Sequence, residues 1–305
     1  MQASDAHVVA ACTVAGSPRA SIANARRAMC ELAEPRQLAA ALRPPALFCS
    51  VCGIDRSAVT RDQSPVLTNR QRDFFSTLIN RRAAGEPIAY LLQRKEFWSQ
   101  DLLVSPEVLI PRPETELLVE RALEHLPDQP CNVADLGTGS GAIALAIATE
   151  RPDVQVTATD SSQSALEVAM KNATRLGIQN VTFRQGDWFT PLADQHYRLI
   201  VSNPPYVRVG DPRLEIGTLY EPVDALLSGY DGLDALRMIC AAARGYLDNQ
   251  GVLVLEHGCD QKHAIHELLL QGGFETIVSS TDLAGKPRVT WADTINRNND
   301  HVRIC

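Results

Sequence analysis

The sequence predicts an α/β protein whose main domain is a doubly wound, mostly parallel sheet of seven strands. Three observations carry this. From residue 132 onward, short β-rich runs alternate with helical stretches, the pattern of parallel strands joined by crossover helices. The last two strand-like runs follow one another with no helix between them, which marks an antiparallel pair at one sheet edge. Residues 1–85 carry no strand signal and are rich in Ala, Arg and Leu, so they form a separate, smaller helical domain.

In chain order, helices are expected at Ala20–Leu42 and Thr68–Ala84, the second placing Phe74, Phe75, Leu78 and Ile79 on one face. Arg43-Pro44-Pro45 breaks the first of these regions. Between residues 86 and 112, Ile88–Leu92, Glu96–Trp98 and Leu102–Val104 look short and extended, punctuated by Pro87, Pro106 and Pro111. That segment is expected to be a β-hairpin linker, with residues 113–305 forming the α/β domain. There a helix at Glu114–Leu126 precedes strands at Asn132–Leu136, Gln155–Thr159, Val181–Gln185, Arg198–Ser202 and Gly251–His257. Helices fit Ala142–Glu150, Gln163–Leu176, Leu233–Tyr246 and Gln261–Gly272, and Phe274–Ser280 with Arg288–Ala292 makes the edge pair. The tail after Trp291 is expected to be disordered.

The bulk numbers exclude several classes. Hydrophobic residues make up 45% of the 305 and charged residues 21%, an ordinary globular mixture. A formal charge of −7 offers no general attraction for nucleic acid. Eight cysteines are scattered without a dense framework, which suits reduced thiols in the cytosol. The mildly apolar Val8–Ala15 stretch lacks a preceding basic residue, so it is not read as a signal peptide. No apolar run reaches the roughly 18 residues of a membrane span. A soluble, cytoplasmic protein is expected.

In a doubly wound sheet, ligands sit beyond the carboxyl ends of the strands at the switch point, so the loops there carry the chemistry. The first reads Asp135-Leu136-Gly137-Thr138-Gly139-Ser140-Gly141-Ala142. Its glycines allow a sharp turn and close approach of backbone to a ligand. Alone, this loop also satisfies a relaxed dinucleotide fingerprint, or serves as a plain connector. Asp160 ends the second strand, where a carboxylate can accept from both ribose hydroxyls of an adenosine ligand, or cap the helix that begins near Ser162. Gly186-Asp187-Trp188 adds a carboxylate for an adenine amino group and an indole to cover the ring, although Trp188 also suits a core position. Together the three loops favour an adenosine cofactor.

Asn203-Pro204-Pro205-Tyr206 follows the fourth strand. The prolines fix φ and remove two donors, leaving carbonyls aimed at the cleft. The Asn203 side-chain oxygen and the Pro204 carbonyl can accept both hydrogens of a planar NH2 group, with Tyr206 against its face. An amide or aromatic amine is a poor nucleophile, so holding its nitrogen in line with an electrophilic methyl at roughly 3–3.5 Å is what such a site can contribute. As an isolated tripeptide Asn-Pro-Pro is also simply a turn.

These motifs together, with GEPIAYLLQRKEFWSQDLLVSPEVLIPRPETELLVE from Gly85, DLGTGSGAIA, GDWF and NPPYV, closely resemble the release factor glutamine N5-methyltransferases, the PrmC/HemK family. The similarity spans about residues 47–290. It implies a Rossmann-like class I methyltransferase domain, a β-hairpin linker and a helical N-terminal domain that docks the substrate. It implies S-adenosyl-L-methionine as cofactor, held by Gly137, Thr138, Gly139, Ser140, Gly141, Asp160, Asp187, Trp188 and Asn203. It also implies that Asn203, Pro204, Pro205 and Tyr206 hold the glutamine amide of the GGQ motif in peptide chain release factors. No direct nucleic-acid or membrane partner is implied, and a monomer is expected. Pro111-Arg112-Pro113-Glu114-Thr115-Glu116 separates the chain from the related ribosomal-protein L3 glutamine methyltransferases, which tend to show PRSP there. Residues 1–46 match the family poorly, and Gln93 stands where a glycine is common.

Rival readings fare less well. An adenine-N6 nucleic-acid methyltransferase also presents a planar NH2 to such a tetrapeptide, but it needs a basic surface and a flipped base. A dinucleotide-binding redox protein gives Asn203–Tyr206 no role. A metal module built on Cys49 and Cys52 lacks a second ligand pair, and His257, Cys259, His263 and His266 straddle a strand end and a helix, so no metal is expected.

Overall fold

A computed structural model describes residues 44–54, 67–192, 195–212 and 216–293. The expected helix Ala20–Leu42 and nearly all of the tail lie outside the described residues. The chain resolves into two compact units, one running to Gln93 and including residues 215–220, the other comprising the remainder.

The first unit contains α1 (Pro44–Cys52), α2 (Asn69–Ala83) and α3 (Ile88–Leu92). Leu47, Phe48, Phe75, Leu78 and Leu91 form its core, with the Phe48 and Phe75 rings edge to face at 5.9 Å. Thr68 and Gln71 close a capping box on α2. Pro44-Pro45 opens a helix, because first-turn N–H groups have no intrahelical partner and a proline loses nothing there. One expectation is corrected here. Ile88–Leu92 is helical rather than extended: Pro87 presets the entry at φ −59°, and Gln93 ends the turn in the left-handed region at φ +57°.

The second unit opens with a hairpin, β1 (Arg94–Phe97) and β2 (Gln100–Leu103), whose strands begin two residues and end one residue upstream of the expected ones. Its two-residue turn is Trp98-Ser99, both at positive φ (50° and 57°), where Asn-Gly is the usual choice. Distant carboxylates compensate for this strain. The Trp98 backbone N–H donates to Glu116 at 3.0 Å, and its indole donates to Glu150 at 2.8 Å. A 3-10 turn, Pro113–Thr115, then leads into α4 (Glu116–His125).

The sheet holds β3 (Asn132–Leu136), β4 (Gln155–Asp160), β5 (Val181–Gln185), β6 (Tyr197–Ser202), β7 (Leu247–Glu256), β8 (Thr276–Thr281) and β9 (Pro287–Asp293). Their spatial order is β5-β4-β3-β6-β7-β9-β8, parallel from β5 to β7, with β9 antiparallel to both its neighbours. Crossover helices are α5 (Ala142–Glu150), α6 (Gln163–Leu176), α7 (Asp234–Ala242) and α8 (Lys262–Gln271). Side chains alternate across the strands into two cores. Val133, Val201 and Val254 face α4 and α5, whereas Ala134, Ile200 and Leu253 face α7 and α8. Strand order reverses between β3 and β6, so the switch point lies between their carboxyl ends. There the Ser202 hydroxyl donates to the Leu136 carbonyl at 2.7 Å.

Candidate active site

The loop after β3 is shaped by its glycines: Gly137, Gly139 and Gly141 all take positive φ (72°, 55° and 86°). It is stitched to the end of β4. The N–H groups of Gly137 and Thr138 both donate to the Thr159 carbonyl at 2.9 Å, and that of Gly139 donates to Asp160 Oδ2 at 2.9 Å. From behind, buried Asn172 donates to the Ser140 carbonyl at 2.9 Å and pairs with Leu103 in the hairpin. Thr138 and Ser140 are themselves buried, and the Thr138 hydroxyl donates inward to Asp135 at 2.7 Å. What the loop can offer a ligand is therefore chiefly backbone.

Asp160 Oδ1 accepts from the Ser162 N–H at 2.9 Å, while the Ser162 hydroxyl accepts from Ala165 and caps α6. Asp160 is thus not itself the cap, and each of its oxygens keeps a lone pair for a further donor. Burial pushes its carboxyl above the ordinary range, opposed by the N–H groups of Ser162 and Gly139. Trp188 stands at φ +43°, its carbonyl accepting from the Thr159 hydroxyl at 3.3 Å. A Cβ placed on Gly137 would lie 3.6 Å from its ring, so the first and third loops meet. Around Gly139 the corresponding direction is open, with nothing within 4 Å. Asp187 is exposed beside Trp188. An adenosine ligand fits these features: open backbone at Gly139, a carboxylate at the end of β4 and an indole at the end of β5.

Beyond β6, Pro204 is buried while Asn203, Pro205 and Tyr206 are half-buried. Val207 pairs with the chain at Leu226–Ser228, and Gln261 donates to the carbonyls of Tyr206 and Gly232 at 3.0 and 3.1 Å. The Asn203 amide nitrogen donates to the Thr115 hydroxyl at 3.1 Å. Among the described residues nothing donates to Asn203 Oδ1 or the Pro204 carbonyl, so both acceptors are available. The Tyr206 phenol donates to Glu256 Oε1 at 3.0 Å. Burial first, and the neighbouring Glu256 charge second, hold that phenol protonated far above its ordinary range. The Pro111-Arg112-Pro113 turn is pinned by buried Glu221, which pairs with Arg112 and accepts from the Ile110 N–H at 3.0 Å. Two of the three histidines set aside as metal ligands have other partners: His257 lies between the Gly258 carbonyl and Thr290, and His266 bonds Ser279.

Three residues of this region were given no individual role in the sequence reading. Asp135, fully buried beneath the glycine loop, has its carboxyl pushed up to about 7 by desolvation, with Thr138 and the Ala144 amide pulling the other way. Thr115 contacts Asn203 from a turn 88 residues away in sequence. Glu256 closes the apolar run of β7, and a charge ending a buried strand was the available signal.

Comparison with known proteins agrees with this fold. A family model described as "Methyltransferase small domain" matches residues 114–218, and one described as "PrmC N-terminal domain" matches residues 25–92, reaching further toward the N-terminus than the motifs indicated. The release factor glutamine methyltransferase of Xylella fastidiosa is 48% identical over 247 residues, covering 80% of this chain and 90% of that protein. Its Coxiella burnetii counterpart is 49% identical over 227 residues (74% and 82%), and that of Escherichia coli 43% over 241 residues (79% and 87%). In fold alone, the chain resembles the hMettl16 catalytic domain, with a TM-score of 0.55 at 14% identity, covering 74% of this chain and 83% of that one.

Proposed function

The chain belongs to the release factor glutamine methyltransferase family, and from that membership we propose that it methylates the side-chain amide nitrogen (N5) of the glutamine in the GGQ motif of peptide chain release factors. The donor is S-adenosyl-L-methionine, which when bound supplies an electrophilic methyl on its sulfonium sulfur. In this reading Gly137–Gly141 present backbone to the cofactor, Asp160 accepts from its ribose hydroxyls, and Asp187 and Trp188 take the adenine.

The single observation that carries the acceptor assignment is that, among the described residues, nothing donates to Asn203 Oδ1 or the Pro204 carbonyl, the Asn203 amide nitrogen being turned to Thr115. A planar primary amide has two N–H donors, and two fixed acceptors match them. Gripped in this way, the nitrogen is aimed rather than activated, and orientation is the larger part of what is needed. Tyr206, seated on Glu256, limits the amide to one plane. No side-chain base is required, because the nitrogen becomes strongly acidic once it carries the new methyl. Residues 1–85 are assigned to docking the release factor, and segment 86–112 to the connection. The protein is read as a cytoplasmic monomer acting on protein without direct nucleic-acid contact.

The test is incubation with S-adenosylmethionine and an unmodified release factor, followed by peptide mass spectrometry. The expected result is one added CH2 on the GGQ glutamine, lost by at least about 10²-fold in Asn203→Ala with cofactor affinity retained. Cofactor binding without modification of that glutamine would exclude the release factor, and the ribosomal-protein L3 glutamine would be tried next.

A further inference from the structure

A tetrapeptide that holds a planar amide must itself be held. A displacement of about 1 Å at a reacting centre can cost about 10²-fold in rate. Fixed φ at Pro204 and Pro205 stiffens the turn from within, but it does not anchor the chain where it leaves the site at Tyr206.

That anchor is Gln261, in the turn between β7 and α8, with a side chain buried at 9% exposure. Its Nε2 donates to the Tyr206 carbonyl at 3.0 Å and to the Gly232 carbonyl at 3.1 Å. Its Oε1 accepts from the Gly258 N–H at 2.8 Å. All three partners are backbone groups of fixed polarity, so the amide has one workable orientation. Reversed, it would set oxygen against two carbonyls and NH2 against an N–H.

A second observation is independent of that side chain. Gly232 sits at φ +78°, and a Cβ there would lie 2.4 Å from the Tyr206 carbonyl oxygen. Glycine is therefore what lets the two carbonyls approach closely enough to share one NH2 group. The Tyr206 phenol is held separately, donating to Glu256 at 3.0 Å. Glu256, Gly258 and Gln261 follow one another at the carboxyl end of β7, so one stretch of chain grips Tyr206 at both its phenol and its carbonyl. We infer that Gln261 is a positioning residue for methyl transfer: with Gly232 it clamps the Tyr206 carbonyl and so fixes the exit of the tetrapeptide. This rests on the reading that Asn203–Tyr206 hold the substrate amide.

The competing role for Gln261 is to close the turn into α8 through its Oε1 and the Gly258 N–H. Gln261→Glu separates the two roles, because a carboxylate keeps the acceptor for Gly258 and loses both donors. Gly232→Ala approaches the same clamp from the other side, pushing the Tyr206 carbonyl away while Gln261 is unaltered. Turnover on an unmodified release factor is expected to fall by about 10²-fold in each variant. Affinity for S-adenosylmethionine should stay within about twofold of wild type, and KM for the release factor within about threefold, because neither is set at the Tyr206 carbonyl. A further readout uses the wild type alone, without cofactor or substrate: by NMR, the two side-chain amide protons of Gln261 should exchange slowly with water. Fast exchange overturns the inference. So does turnover within about threefold of wild type in either folded variant, which would leave Gln261 a turn-closing residue. A matching loss of cofactor affinity also overturns it, since the damage would then be general to the domain. If Gln261→Glu does not fold, Gly232→Ala and the exchange measurement decide. A wild type that modifies no glutamine removes the functional reading and this inference with it, whereas turnover retained in the variants removes this inference alone.

Discussion

Asp135 illustrates how one residue links stability to the cofactor loop. Its carboxyl is fully buried and is pushed up to about 7 from 3.8, because desolvation outweighs the Thr138 and Ala144 hydrogen bonds. A raised carboxyl pKa means that the folded state holds the proton more tightly than the unfolded chain. Wild-type stability is therefore highest, in this respect, below about pH 4 and declines as the pH rises toward 7, by an order of a few kcal/mol. Asp135→Asn keeps an acceptor for Thr138 and does not titrate. Its melting temperature relative to wild type should rise steadily between about pH 4 and pH 7 and level off beyond. Calorimetry across that range checks this, and a flat difference would show that the carboxyl titrates in the ordinary range. The pattern DLGTGSG marked the loop, but it did not reveal that Asp135 lies beneath it without solvent. Burial is the property that alters its chemistry, and burial depends on the α5 segment folded against it.

Among the elements, regular strands and helices of the sheet were legible because burial on both faces leaves long apolar runs with clear stops. β3, α5 and α6 have the bounds that the sequence indicates. Elements at the margins were not. The α3 helix has five residues and too few turns for periodicity to show, and its end depends on a left-handed Gln93. Such a conformation costs a residue with a Cβ about 1–2 kcal/mol, and glycine escapes it while gaining unfolded-state freedom. Gln93→Gly is therefore expected to stabilise by about 0.5–1 kcal/mol, seen as a melting temperature higher by a few degrees. A decrease would mean that the side chain contributes more than the strain it carries. The hairpin turn is the parallel case. Trp98-Ser99 gives no turn signal of its own, and Glu116 and Glu150 hold it in place from distant helices.

For the molecule as a whole, each unit has its own core, and the family matches fall within one unit or begin in it. No described helix is long and apolar enough to cross a membrane. The cofactor should act as a stabiliser of the α/β unit by mass action. At about 100 times its Kd, S-adenosylmethionine should add about 2.7 kcal/mol, or about 5–10 °C in melting temperature. Asn203→Ala should keep most of this rise, because on the proposed reading its side chain acts chiefly on the acceptor amide. Asp160→Ala should show little at that concentration, since on the proposed reading Asp160 accepts from the ribose, and it also accepts from the Gly139 N–H. Equal shifts in all three proteins would place the ribose contact elsewhere. The acidic net charge of −7 belongs to the same level of description, and it was legible at once as a reason to expect no general attraction for nucleic acid.

Local chemistry written along the chain was enough to establish the alternation of strands and helices, the glycine loop, the acidic strand end and the Asn-Pro-Pro-Tyr turn. Each of these depends on neighbours in sequence: periodicity, fixed proline φ, or glycine at a positive φ. Folding settled matters that depend on neighbours in space. It placed Thr115 and Glu256 against the tetrapeptide, left Asp135 dry, and supplied partners to a turn that its own residues disfavour. Hydrogen bonds and desolvation act over a few ångströms, and residues 50 or 88 positions apart come within that range only when the sheet is assembled.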